Sequence, residues 1–158
     1  MWRLAVGAVA AAALAVGLLS GGGAARRAAP ALPSRLLSGH AVTLADLRGH
    51  AAAVVFWASW CTDCGVEANA VEAVARSPAG RGRLVGIDYD DGGDWRAFLH
   101  RHHWSFPVLD DSSGNTGAAF GIANLPATII LDSSGRIASV RYGAQTVHGL
   151  SAALAAAG

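Results

Sequence analysis

Phe56-Trp57-Ala58-Ser59-Trp60-Cys61-Thr62-Asp63-Cys64 is the stretch on which the fold turns. It closes a continuous apolar run, Ala51-Ala52-Ala53-Val54-Val55-Phe56-Trp57, the pattern of a strand buried on both faces. From residue 62 to about 77 the pattern becomes helical, with Val66, Ala70 and Val74 four apart and Val71 beside them. The C-x-x-C therefore falls where a buried strand hands over to a helix. Two intervening residues in a first helical turn bring two sulfurs within bonding distance. The free N–H groups and the macrodipole at that end favour a thiolate. Cys61 is expected as the exposed, attacking thiol. Cys64, one turn further in, is expected as the shielded thiol that resolves a mixed disulfide. Trp60 would cover the pair on its solvent side.

The counts around this stretch narrow the chemistry. With 158 residues, 53% of them apolar and 15% charged, the chain can bury one core. Its 12 basic residues are all Arg and face 11 acidic ones, for a net charge of +1. No basic block gives a footprint for nucleic acid. Cys61 and Cys64 are its 2 cysteines, too few for a disulfide-stapled scaffold or a four-thiolate zinc cage. A metal site would need further ligands, and His100, His102 and His103 are the clustered candidates. At a helix C-terminus, three histidines are more simply surface groups favoured by the dipole. No metal site is expected. Asp88, Asp90, Asp91 and Asp94 lack the ligand pattern of a calcium loop and read as strand-end and helix-cap acids.

Working outward, Leu84–Tyr89 reads as a second buried strand. Asp94 is placed to cap a helix that carries Trp95, Phe98 and Leu99 and ends near His103. Short strands are expected at 42–44 and 106–109, and a brief helix at 116–120. Segments 129–132 and 136–142 flank Asp132-Ser133-Ser134-Gly135, a hairpin turn, and Val147–Ala157 forms a last helix. Alternation of strand and helix with a closing hairpin makes an α/β layered domain. Before it, a short basic start and a 16-residue apolar run, 4–19, describe an export signal or an N-terminal membrane anchor over residues 1–25. The choice between these two stays open. Residues 26–38 read as a flexible linker and 39–158 as the folded domain.

Beyond the cysteine turn, several segments carry a family likeness: Leu44-Ala45-Asp46-Leu47-Arg48-Gly49, Glu67, Phe120-Gly121-Ile122, Leu125-Pro126-Ala127-Thr128, and Asp132 with Gly135. With Phe56 to Cys61 they make the chain resemble the thioredoxin-like superfamily, and within it the exported TlpA/ResA/CcmG (DsbE-like) thiol–disulfide oxidoreductases. The resemblance implies a thioredoxin-like fold, a central mixed β-sheet flanked by helices with a C-terminal hairpin and helix. It implies that Cys61 is the nucleophile, Cys64 the resolving thiol and the redox-active disulfide the only cofactor. It also implies that Pro126 follows a cis peptide bond and packs against the pair. That would expose the backbone of Leu125 to an extended substrate segment. An ordinary strand-entry proline is the plainer reading of Pro126.

Glu67 lies three residues after Cys64, one turn on and on the same side. Members of this branch carry an acid there. A partly buried carboxylate has a raised pKa and could take the proton that Cys64 must lose. The plainer alternative is a solvated helix acid. Asp63 stands where the family often has proline. Its charge disfavours a neighbouring thiolate and so favours the disulfide over the dithiol. Trp60, Leu125, Thr62 and Asp63 are the expected substrate contacts.

The resemblance implies an enzyme of the cell envelope that exchanges disulfides with protein substrates, as a reductant, in the manner of cytochrome c maturation. Its partners would be protein thiols and disulfides and an outside redox protein that recharges the pair. It would be a monomer, with membrane contact only through the N-terminal segment. Three alternatives remain at this level: a thiol oxidant of the same fold, a metal- or copper-binding module, and a binding domain whose cysteines serve stability alone.

Overall fold

The computed structural model describes residues 26–89 and 92–158. The expected export segment, 1–25, and the acids Asp90 and Asp91 lie outside the described residues. In chain order the elements are β1 (Leu36–Ser38), β2 (Ala52–Trp57), α1 (Thr62–Arg76), β3 (Leu84–Tyr89), α2 (Trp95–His102), β4 (Val108–Asp111), α3 (Asn115–Phe120), β5 (Ala127–Leu131), β6 (Ile137–Tyr142) and α4 (Val147–Ala157). The strands form one sheet in the order β1-β4-β3-β2-β5-β6. Strands β2, β3 and β4 run parallel, while β5, β6 and β1 join antiparallel to their neighbours.

The period of two along β2 explains its unbroken apolar sequence. Ala53, Val55 and Trp57 face one core with Ala68, Val71 and Val74 of α1, Phe98 of α2, and Leu150 and Leu154 of α4. Ala52, Val54 and Phe56 face a second core with Ile87, Leu109, Ile129 and Phe120 of α3. Both faces are covered, so both sets must be apolar. In the first core, Trp57 stacks on Phe98 at 4.3 Å between ring centroids and meets Trp104 edge-on at 5.0 Å. The Trp104 indole N–H donates to Ala68 O at 3.0 Å, which fixes α1 against this aromatic wall.

Three sequence expectations come out differently. Residues 42–44 form no strand and lead into a turn over 44–49, where the Asp46 carboxylate accepts from both the backbone N–H and the hydroxyl of Thr43. Residues 26–38, read as a linker, are bound to the domain. Leu36 pairs with Leu109 across β1 and β4, Ala28 bridges to Arg136, and Ile137 N–H donates to Arg27 O. Arg26 pairs with Asp132 at 3.1 Å, and Arg27 donates to Phe120 O. Prolines and small residues look like a linker in composition, yet their backbone groups satisfy the sheet edge. The interior stripe of α1 is also rotated from the expected one. Val66 is 68% exposed, while Cys64, Glu67, Ala68, Val71 and Val74 face inward.

Candidate active site: the cysteine pair, its buried acid and a neighbouring cleft

β2 ends in the first core and the chain turns at Ala58-Ser59-Trp60 to enter α1. Cys61 is the N-cap of that helix, and its Sγ accepts the backbone N–H of Cys64 at 3.1 Å. A sulfur that receives a helix N-terminal N–H has its negative form stabilised. Cys61 and Cys64 form a disulfide with a Cα–Cα distance of 5.2 Å. Cys61 is 8% exposed and Cys64 1%, so both are buried and Cys61 is the less buried of the two. Thr62 and Asp63, also in the first turn, are exposed.

One turn below, Glu67 is 1% exposed, which leaves no room for the reading of a solvated helix acid. Its Oε2 accepts the backbone N–H of Gln145 at 2.9 Å. Among the described residues no side chain or backbone group hydrogen-bonds its Oε1. Burial pushes its pKa up to about 7, against the lowering effect of the Gln145 N–H. A carboxyl that changes charge near neutrality one turn from a thiol is suited to proton transfer.

The Leu125–Pro126 peptide is cis, as the resemblance implies. Leu125 packs against the core that contains both cysteines. With Trp60, Tyr89, Ala123 and Asn124 it also lines a cleft of about 340 Å3 beside the disulfide turn. Trp60 is 62% exposed and opens outward, covering less than the sequence reading expected. Tyr89 leans over Gly117, where a Cβ would come within 2.2 Å of the ring, so glycine is needed there. Tyr142 holds the cleft loop, donating from its hydroxyl to Gly121 O at 3.2 Å and accepting from Ala123 N–H. Tyr89, Asn124, Tyr142 and Gln145 were not legible as site residues. They are distant in sequence and share no motif with the cysteines.

His102 rests on Phe98 at 4.5 Å and approaches the Asn69 side chain at 3.4 Å. Among the described residues no group of three or more His, Cys, Asp or Glu is placed to hold a metal ion.

A disulfide capping the first helix of a mixed sheet, with a cis-proline strand beginning beside it, defines the class of thioredoxin-like thiol–disulfide proteins. Within that class the chain belongs to the AhpC/TSA family, which it matches over residues 25–140. It is similar to the thioredoxin-like protein YneN of Bacillus subtilis, 30% identical over 122 residues that make up 75% of this chain and 71% of that one. It is 34% identical to the thiol:disulfide interchange protein DsbE of Pseudomonas fluorescens over 98 residues, 61% of this chain and 53% of that one. Among solved structures, a secreted Mycobacterium tuberculosis disulfide oxidoreductase homologous to Escherichia coli DsbE superposes with a TM-score of 0.66 at 26% identity. That match covers 79% of this chain and 95% of the other.

Proposed function

We propose that this chain is an exported thiol–disulfide oxidoreductase that reduces protein disulfides in the cell envelope. Its proposed substrate class is the C-x-x-C-H haem-attachment segment of apocytochrome c. The observation that carries the direction is the acidic setting of the pair: Glu67 buried one turn beneath it and Asp63 in the first turn of α1. Oxidants of this class are strong because their reduced form is stabilised. Carboxylates disfavour the thiolate, so they weaken the dithiol relative to the disulfide and make the pair a ready electron donor.

In the reaction, the Cys61 thiolate attacks one sulfur of the substrate disulfide. This forms a Cys61–substrate disulfide and releases the first substrate thiolate. The Cys64 thiol gives its proton to the Glu67 carboxylate, and the Cys64 thiolate attacks Cys61 Sγ. The intramolecular disulfide closes, and the second substrate thiolate leaves and is protonated by water. Two electrons pass from the cysteine pair to the substrate, and an outside dithiol protein must return them. The substrate segment lies extended along Leu125, with a side chain in the cleft between Trp60 and Tyr89.

Export rests on the apolar segment at 4–19 and on the secreted relative. Among the described residues no helix is long and apolar enough to cross a membrane. Residues 1–38 fused to a reporter active only outside the cytoplasm should give signal; a silent fusion overturns export. The direction is tested by a redox titration of Cys61–Cys64. A potential close to thioredoxin's, roughly −270 mV, is expected, and one near the oxidant value of roughly −120 mV overturns the reductant reading.

A further inference from the structure

We infer that Arg141 and Gln145 are positioning residues for Glu67. The bend they hold, residues 143–145 between β6 and α4, ties the proline strand and the proton-carrying carboxylate to one short loop. This rests on the proposed role of Glu67 as the acceptor of the Cys64 proton.

The geometry is a closed set of hydrogen bonds. Arg141 Nε donates to the Gln145 side-chain Oε1 at 2.6 Å, and Gln145 Nε2 donates to Gly143 O at 2.7 Å. These two bonds fold the Gln145 side chain back on its own loop, and Gln145 is 8% exposed. So held, its backbone N–H points at Glu67 Oε2 at 2.9 Å. At the loop's other end, Gly143 N–H donates to Pro126 O at 3.0 Å. Gly143 has φ +80°, the left-handed region that favours glycine, and this allows β6 to turn immediately into the bend. The loop is anchored on its far side as well. Thr146 caps α4, accepting from Gly149 N–H at 3.0 Å, and α4 packs against α1 in the core that contains the cysteines.

The Arg141 side chain gives its hydrogen bond to a neutral amide, and among the described residues it joins no ion pair. On an edge strand a cation is ordinarily left in solvent. Here it fixes an amide whose backbone partner serves the buried acid. The charged or titratable groups on the elements around Glu67 are Asp63, Glu72 and Arg76 on α1, Arg96, His100, Arg101 and His102 on α2, Arg141 and Tyr142 on β6, and His148 on α4. None of them hydrogen-bonds or ion-pairs with the Glu67 carboxyl. Burial and the Gln145 N–H therefore set its proton affinity. A carboxylate that loses a donated N–H is less stable as an anion, so disturbing the loop raises the pH at which Glu67 can accept a proton.

The test is a pH–rate profile, pH 5 to 9, for single-turnover reduction of insulin by the pre-reduced full chain. Carbon NMR of the Glu67 carboxyl follows the same titration without turnover. Wild type should show a limb with its midpoint near pH 7. Arg141→Ala should move that midpoint up by about one unit, making the rate about tenfold lower at pH 6 while converging at high pH. Arg141→Lys, which keeps a donor for Gln145, should restore most of the shift. If Arg141→Ala fails to fold, Gln145→Met, which removes the side-chain brace but keeps the backbone N–H, carries the same expectation. A lower melting temperature with an unmoved midpoint would overturn the positioning role. Glu67→Gln separates this from failure of the underlying reading. If that variant keeps the limb, Glu67 is not the proton acceptor; if it loses the limb while Arg141→Ala keeps the wild-type midpoint, only the loop inference falls.

Discussion

Glu67 and Glu72 leave α1 five residues apart, and both are buried, at 1% and 7% exposure. Glu72 is compensated. Its Oε1 is 3.4 Å from Arg76 Nε one turn on, and its Oε2 accepts the Ser105 backbone N–H at 2.9 Å, tying α1 to the chain after α2. Among the described residues Glu67 has one backbone N–H and no cation as partners, and its pKa climbs to about 7. Burial is common to the two acids. What separates them is whether a cation stands within reach of the carboxyl, and that difference in partners shapes what each buried acid can do.

The largest expected consequence is in stability against pH. Glu67's pKa is raised in the folded chain, so its neutral form is the one the fold prefers. That preference is fully present below the unfolded value of 4.5 and is lost as pH rises through about 7. Urea denaturation should show wild type losing on the order of 3 kcal/mol between pH 4.5 and 8 relative to Glu67→Gln. Parallel curves for the two proteins would erase the distinction between the two acids.

Next in size is activity. Glu67→Gln should slow single-turnover insulin reduction at pH 7 by about 10- to 100-fold, at or below the lower limit of what a positioned acid–base group contributes. Its melting temperature at pH 7 should not fall.

Glu72→Ala should do the reverse. It leaves the Ser105 N–H without its acceptor and costs about 1.5–2 kcal/mol by urea denaturation. The Arg76 pair adds little, since the arginine is largely in solvent. Insulin reduction by the folded protein should stay within about twofold of wild type. A rate loss equal to that of Glu67→Gln would show that α1 carries no division of labour.

The smallest effect is expected at Asp63, the exposed acid of the first turn. Asp63→Asn removes a charge near the Cys61 thiolate, worth about 1 kcal/mol, and should raise the reduction potential by about 20 mV. A lower potential in the variant sinks the electrostatic argument.

Much of this was legible in the chain. The apolar run before Cys61, the spacing of the two cysteines, the Asp94 cap and the final helix Val147–Ala157 all stand where local pattern put them. Each depends on contacts within a turn or on the burial of both sheet faces, and sequence reports such things directly. The edge strand β1 was not legible, because its pairing with β4 joins residues about seventy positions apart and needs no side-chain signature. On α1 the hydrophobic pattern misled: it put Val66 inside, where the helix has Glu67. A local rule broken in this way is expected where a site is built.

The sequence by itself determined that a C-x-x-C stands at the entrance to a helix behind a doubly buried strand, because two-residue spacing and unbroken apolarity are local properties. Only the tertiary structure decided what Glu67 is. Its environment is assembled from β6, the 143–145 bend and α4, some seventy residues downstream, and a carboxyl's proton affinity is set by whatever surrounds it in space.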